Sequence, residues 1–139
     1  MEQRRRIDEY FRACGHGSAQ DIAEHFTAEA VIFDTNIRPM RTASGIGEAW
    51  AKVRKRWGGA EWSVDSFVSD GDVAAIEWSM TGHDSDSGRD FRFRGSEHYV
   101  FDGDQNLISE IRQYWTLDPV RLDTGLLDYD YSGSPEQLS

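Results

Sequence analysis

Ile7, Tyr10, Phe11 and Cys14 recur at three- and four-residue spacing, so residues 3–14 predict an amphipathic helix that Gly15 and Gly17 end. Ser18, with Asp21 three residues on, predicts an N-cap and a short second helix carrying Ile22, Ala23 and Phe26. Residues 30–36 are rich in β-formers and predict a strand, which Pro39 stops. Ser44 is the expected cap of a third helix in which Ile46, Trp50, Val53 and Trp57 share a stripe, ended by Gly58-Gly59. Beyond Gly59 the period shortens to two. Residues 61–69, 73–83, 90–101 and 107–117 predict four long strands, separated by Asp70-Gly71-Asp72, residues 84–88 and Asp102-Gly103-Asp104. Connections that short imply an antiparallel meander. The clearest alternation is Phe91-Arg92-Phe93-Arg94, apolar on one face and cationic on the other. From Asp118 the pattern fades into an acidic tail. The expected class is therefore α+β: three N-terminal helices on one face of a curved antiparallel sheet, with a domain over residues 1–117 and a tail over 118–139.

Composition adds limits. A chain of 139 residues, 38% hydrophobic and 12% aromatic, has the size of one domain and the bulk for a core. Its net charge of -10 repels phosphate, so neither nucleic acid nor an anionic membrane is an expected partner. Cys14 stands alone, which excludes an internal disulfide and a four-thiolate zinc site. No two histidines have metal-site spacing and no glycine-rich loop follows a strand, so no metal and no nucleotide cofactor is expected. Residues 1–6 are charged and lead into no apolar stretch, so the expected location is cytoplasmic.

Several segments carry a resemblance: Ile7-Asp8-Glu9-Tyr10, residues 30–34, Ser96-Glu97-His98-Tyr99-Val100-Phe101-Asp102-Gly103, and Ile111-Arg112-Gln113-Tyr114-Trp115. In this order they resemble the SnoaL-like polyketide cyclases and ketosteroid isomerases of the nuclear-transport-factor-like superfamily, over roughly residues 3–117. The resemblance implies a cone, in which a bent sheet wraps the helices around one deep pocket. It also implies a homodimer built on the outer sheet face, here Arg92, Arg94, His98, Glu110, Arg112 and Tyr114. Carried over from ketosteroid isomerase, Asp34 matches the general base that ends the first strand. Tyr10 matches the oxyanion-binding tyrosine of the first helix. Glu97 stands where that family has a protonated Asp, one methylene longer; the handling of a carboxyl held neutral by an apolar site is known from that enzyme.

The residues themselves point the same way. Glu97 shares a strand face with Phe91, Phe93, Tyr99 and Phe101, so it is expected inward, desolvated, and raised in pKa. Asp34 shares a face with Ile32 and Asn36. Two carboxyls and a phenol in an apolar cavity suit proton transfer at carbon beside a carbonyl. Each has a structural alternative: Tyr10 as a core aromatic, Asp34 as a turn residue, Glu97 as half of a buried bonded pair. His83, at a strand end beside a polar turn, is a further catalytic candidate; scytalone dehydratase has a working His near this strand end, but the Asp that pairs with it is replaced here by Gly15, which favours a surface role. Trp50, Trp78, Met80, Tyr99, Phe101, Gln113, Trp115 and Asn36 are the expected lining of the substrate pocket.

The expected function is a cofactor-independent acid/base enzyme (isomerase, dehydratase or aldol-type cyclase) for a small, mostly apolar carbonyl compound of specialised metabolism. The rival of a different class is a non-catalytic, ligand-binding homodimer of the same fold. Limonene-epoxide-hydrolase-like chemistry ranks lower. Asn36 resembles that family's water-positioning residue, but its Asp-Arg-Asp set falls on Gln113, Trp78 and Met80.

Overall fold

The computed structural model describes residues 2–127. Helix α1 (Glu2–His16) buries Ile7, Tyr10, Phe11, Ala13 and Cys14 along one stripe, as its spacing requires. A capping box starts α2 (Ala19–Ala23): the Ser18 hydroxyl accepts from the Asp21 amide, and the Asp21 carboxylate accepts from the Ser18 amide. Helix α3 (Ala43–Arg56) is capped by Thr42, whose hydroxyl accepts from the Gly45 amide, two residues before the expected Ser44. It ends at Arg56 and does not extend through Trp57. Trp57 instead opens a strand and packs edge-on against Phe91 and Phe93, at 5.0 and 5.8 Å between ring centroids. Aromatic packing across the sheet outweighs one more helical turn there.

The strands are β1 (Phe26–Asp34), β2 (Met40–Arg41), β3 (Trp57–Asp70), β4 (Val73–Asp84), β5 (Asp90–Phe101) and β6 (Ile108–Trp115), in one sheet ordered β2-β1-β6-β5-β4-β3. The last four form the antiparallel meander that the short connections imply. Two features escaped the pattern. Strand β1 starts at Phe26 and pairs in parallel with β6, and Met40–Arg41 adds a short antiparallel edge to β1. Both are non-local pairings, which periodicity does not encode. The α+β cone is as expected, with the helices inside the curve of the sheet and the core between them.

Past β6 the chain folds back. The amides of Arg92 and Arg94 donate to the carbonyls of Leu122 and Thr124, filling the edge of β5 that β6 leaves open when it ends at Trp115. Leu122 is fully buried and Thr124 bonds the Thr116 carbonyl with its hydroxyl. Residues 118–127 thus pack on the domain, although they show no strand pattern; the rest of the expected tail lies outside the described residues. Gly125, at φ 76°, has its α-carbon against the Arg94 carbonyl, where a β-carbon would stand at 2.2 Å. Among the described residues no helix is long and apolar enough to cross a membrane.

Candidate functional site

Strand β5 turns Glu97 inward, where it is 2% exposed. Its neighbour across β6 is Gln113, and across β4 it is Ile76; Gln113 in turn pairs with Asp34 of β1. A row Asp34, Gln113, Glu97 therefore runs across three adjacent strands on the inner face. The Tyr99 hydroxyl donates to Glu97 Oε1 at 2.7 Å. Burial pushes the Glu97 carboxyl up to about 8; the Tyr99 hydroxyl opposes this and the Asp34 charge adds to it. At neutral pH the group is mostly the neutral acid, and a donor.

Helix α1 places Tyr10 and Cys14, one turn apart, over this carboxyl. Burial, and then the nearness of Cys14 and Glu97, holds the Tyr10 hydroxyl well above the usual phenol range. Burial likewise pushes the Cys14 thiol up. Tyr99 is raised by burial and by Glu97. All three keep their protons. Helix α3 supplies Trp50 and β4 supplies Trp78. Among the described residues neither indole N–H has an acceptor, though both atoms are buried. Trp50 lies near enough to favour the Tyr10 phenolate slightly, but not in hydrogen-bond geometry. An unpaired buried donor costs about 1–3 kcal/mol, and two at one place call for an acceptor.

Tyr10, Phe11, Cys14, Trp50, Trp62, Trp78, Glu97 and Gln113 line a single small cavity of about 10 Å³. It is narrow: at most about one water molecule fits between its walls. Asp34 is half-buried and is linked to the cavity through Gln113. Its Oδ2 accepts from Gln113 Nε2 at 2.7 Å and from Trp115 Nε1 at 2.8 Å, and its Oδ1 accepts from the Asn36 amide at 2.7 Å.

The expected residues divide accordingly. Tyr10, Glu97, Trp50, Trp78 and Gln113 meet at the cavity, with Asp34 and Trp115 joined to it through Gln113. Tyr99 and Phe101 lie behind, stacked at 5.9 Å, with Tyr99 reaching the site through Glu97. Met80 is a core residue across from Trp62. Two positions are elsewhere. The His83 side chain is 56% exposed at the end of β4, 3.3 Å from Asp90, on the strand face opposite the buried Trp78 and Met80. Asn36 is exposed and latches β6, donating to the Trp115 carbonyl and accepting from the Leu117 amide. Phe11, Cys14 and Trp62 were missed, although the α1 stripe and the inward alternation of Trp62 with Val64 carried the signal. On the outer face Arg94 departs from expectation too. It is 5% exposed, 2.7 Å from Asp65, a bulge residue of β3, and is not an open interface cation. Among the described residues no cluster of His, Cys, Asp and Glu could hold a metal.

Residues 7–111 match the family described as the SnoaL-like domain. The chain belongs to that family. Solved structures of SnoaL-like folds agree. A hypothetical protein with a ketosteroid isomerase-like fold from Catenulispora acidiphila, in complex with trimethylamine, is 18% identical over 90% of this chain and 96% of that one, with a TM-score of 0.77. A candidate SnoaL-like polyketide cyclase from Jannaschia sp. CCS1 is 12% identical over 82% and 85%, at 0.71. An epoxide hydrolase of the LEH-like type from M. tuberculosis is 14% identical over 83% of both chains, at 0.69. At these identities the likeness speaks for the fold. No curated protein matches the SnoaL-like chain by sequence.

Proposed function

We propose that this SnoaL-like protein is a cofactor-independent acid/base enzyme acting on a small, mostly apolar carbonyl compound. The observation that carries this reading is a cavity lined by donors and short of acceptors: a neutral Glu97 carboxyl and the indole N–H groups of Trp50 and Trp78. A carbonyl oxygen is the group that such a set would receive, and it would hold the enolate oxygen more strongly still. Asp34 is the base. An ionised carboxylate has about four lone-pair sites, and Gln113, Trp115 and the Asn36 amide take three of them. One remains for a proton from the carbon beside the carbonyl. The C–H pair becomes a C=C bond and the carbonyl pair moves to oxygen, onto the donors. Return of the proton at another carbon isomerises the compound; loss of a β-hydroxyl dehydrates it; attack of the enolate carbon on a second carbonyl closes a ring. The apolar lining matches the chemical character of a polyketide, terpenoid or steroid-like compound, for which the cavity has to open.

The test needs no known substrate. Small cyclic ketones are incubated with the protein in D2O, and deuterium at the α-carbon is followed by mass spectrometry. The expected result is uptake that Asp34→Asn reduces by about 10²–10⁴-fold with the fold intact. Uptake unaffected by that substitution removes Asp34 from the mechanism.

One observation favours a second reading, a non-catalytic binding protein. The cavity is small and aromatic, and among the described residues no cation lines it beside the carboxyl, which suits a small alkylammonium once Glu97 ionises; the Catenulispora relative is in complex with trimethylamine. An ammonium, however, leaves both indole donors unpaired, and this ranks the reading second. We also propose self-association through the outer sheet face, where Tyr114 is 51% exposed and His98 and Arg112 stand beside it. Sedimentation showing monomer alone at micromolar concentration overturns that assignment.

A further inference from the structure

The inner cavity is too tight to admit a substrate as it stands, so an entrance has to open. A second, outer space lies against it: a groove of about 440 Å³ between α1 and β3, lined by Arg4, Asp8, Arg12 and His16 on the helix side and by residues 61–64 on the strand side. Phe11 and Trp62 line both spaces. The side chains of Phe11 and Trp62 are therefore the elements the two spaces share. Trp62 is only partly buried and meets Trp50 edge-on at 6.2 Å, so a change of its side-chain rotamer joins the two volumes without breaking the β3 ladder.

The charges of the groove are unevenly matched. Arg4 pairs with Asp8 at 3.3 Å, and His16 lies 3.5 Å from Glu61. Arg12 is exposed and has no acidic partner among the described residues. In a chain with a net charge of -10 the groove carries as many Arg as Asp and Glu side chains, and Arg12 is its guanidinium without an acidic partner among the described residues. Its planar fork suits a carboxylate bidentately.

We propose that this groove is the entrance to the cavity, gated by Trp62 and Phe11, and that Arg12 there holds the carboxylate of a keto acid whose carbonyl end passes inside. The entrance stands on the shared lining alone; the keto-acid class rests on the carbonyl reading above. Arg12 touches the far end of the substrate and takes no part in proton transfer.

The probes are 4-oxopentanoate and its methyl ester, which share a ketone and differ in charge. Binding is titrated by tryptophan fluorescence, association rates are taken by stopped flow, and deuterium uptake is read in parallel. The acid is expected to bind about fivefold more tightly than the ester at low salt, the scale of a partly exposed ion pair. Arg12→Gln removes that advantage and leaves ester binding and circular dichroism unchanged. Trp62→Ala speeds association of both probes. An acid-to-ester ratio untouched by Arg12→Gln, association rates untouched by Trp62→Ala, or no binding of the acid at about 10 mM each overturns the proposal. Charge-dependent binding with no deuterium uptake from either probe upholds the entrance and its cation while refuting the catalytic reading, so the two fail separately.

Discussion

Glu97 makes the buried site measurable in the stability of the whole protein. In the unfolded chain its carboxyl titrates near the ordinary value of 4.5, and in the folded protein near 8. Between those values the unfolded chain releases a proton that the folded protein keeps, so rising pH favours unfolding, by about 1.4 kcal/mol per pH unit. The cost is absent below pH 4 and complete above pH 8. Integrated from pH 5 to pH 8 it amounts to about 3–4 kcal/mol, a large share of the stability of a domain of this size. Glu97→Gln removes the titration while its side-chain oxygen can still accept from Tyr99. The variant should therefore gain about 3–4 kcal/mol over the wild type at pH 8 compared with the difference between the two at pH 5. Urea unfolding followed by tryptophan fluorescence at half-unit steps of pH reads this directly, with equal m-values as the check that the unfolded states are alike. A difference that shifts against the variant as pH rises from 5 to 8 refutes the reasoning. That outcome means Glu97 is ionised in the fold and bonded to a buried cation.

Three further outcomes follow from the packing. Leu122→Ala should cost about 2–4 kcal/mol in urea, since Leu122 is fully buried in the core; a loss under half a kcal/mol makes residues 118–127 a dispensable appendage. Gly95→Ala should destabilise by about 1–3 kcal/mol and shift the near-ultraviolet dichroism, because the new methyl carbon meets Trp78 Cζ2 at 2.6 Å and the Tyr114 carbonyl at 2.7 Å. Arg94→Met should cost about 1–3 kcal/mol by taking the guanidinium from the Asp65 carboxylate, which keeps its bond from the Ser79 hydroxyl, and part of that loss should be recovered in the double variant with Asp65→Asn, read by a denaturation cycle.

Much of this molecule is local information. The α1 stripe, the Ser18 cap and the three acidic turns between the long strands are short-range patterns. Each states its own element because side chains within a few residues decide it. Alternation alone sends Glu97 inward among aromatic rings, and desolvation then raises its pKa, so that property was legible from a dozen residues of β5. The tertiary structure decided what depends on closure in space. Parallel pairing of β1 with β6 brings Asp34 beside Gln113 and Trp115, which are separated from it by 79 and 81 residues, and this gives a strand-end carboxylate two side-chain donors. The open edge of β5 recruits Leu122, whose neighbours carry no strand pattern. Arg94 alternates like a surface cation, yet the β3 bulge presents Asp65 to it and residues 124 and 125 cover its backbone. His83 and Asn36 carry residue types suited to chemistry, but the alternation that turns Trp78 and Met80 inward puts His83 on the other face, and Asn36, past the end of β1, is held by the backbone of residues 115 and 117. The unpaired indoles of Trp50 and Trp78 were equally invisible, because a missing acceptor is a property of everything packed around a donor.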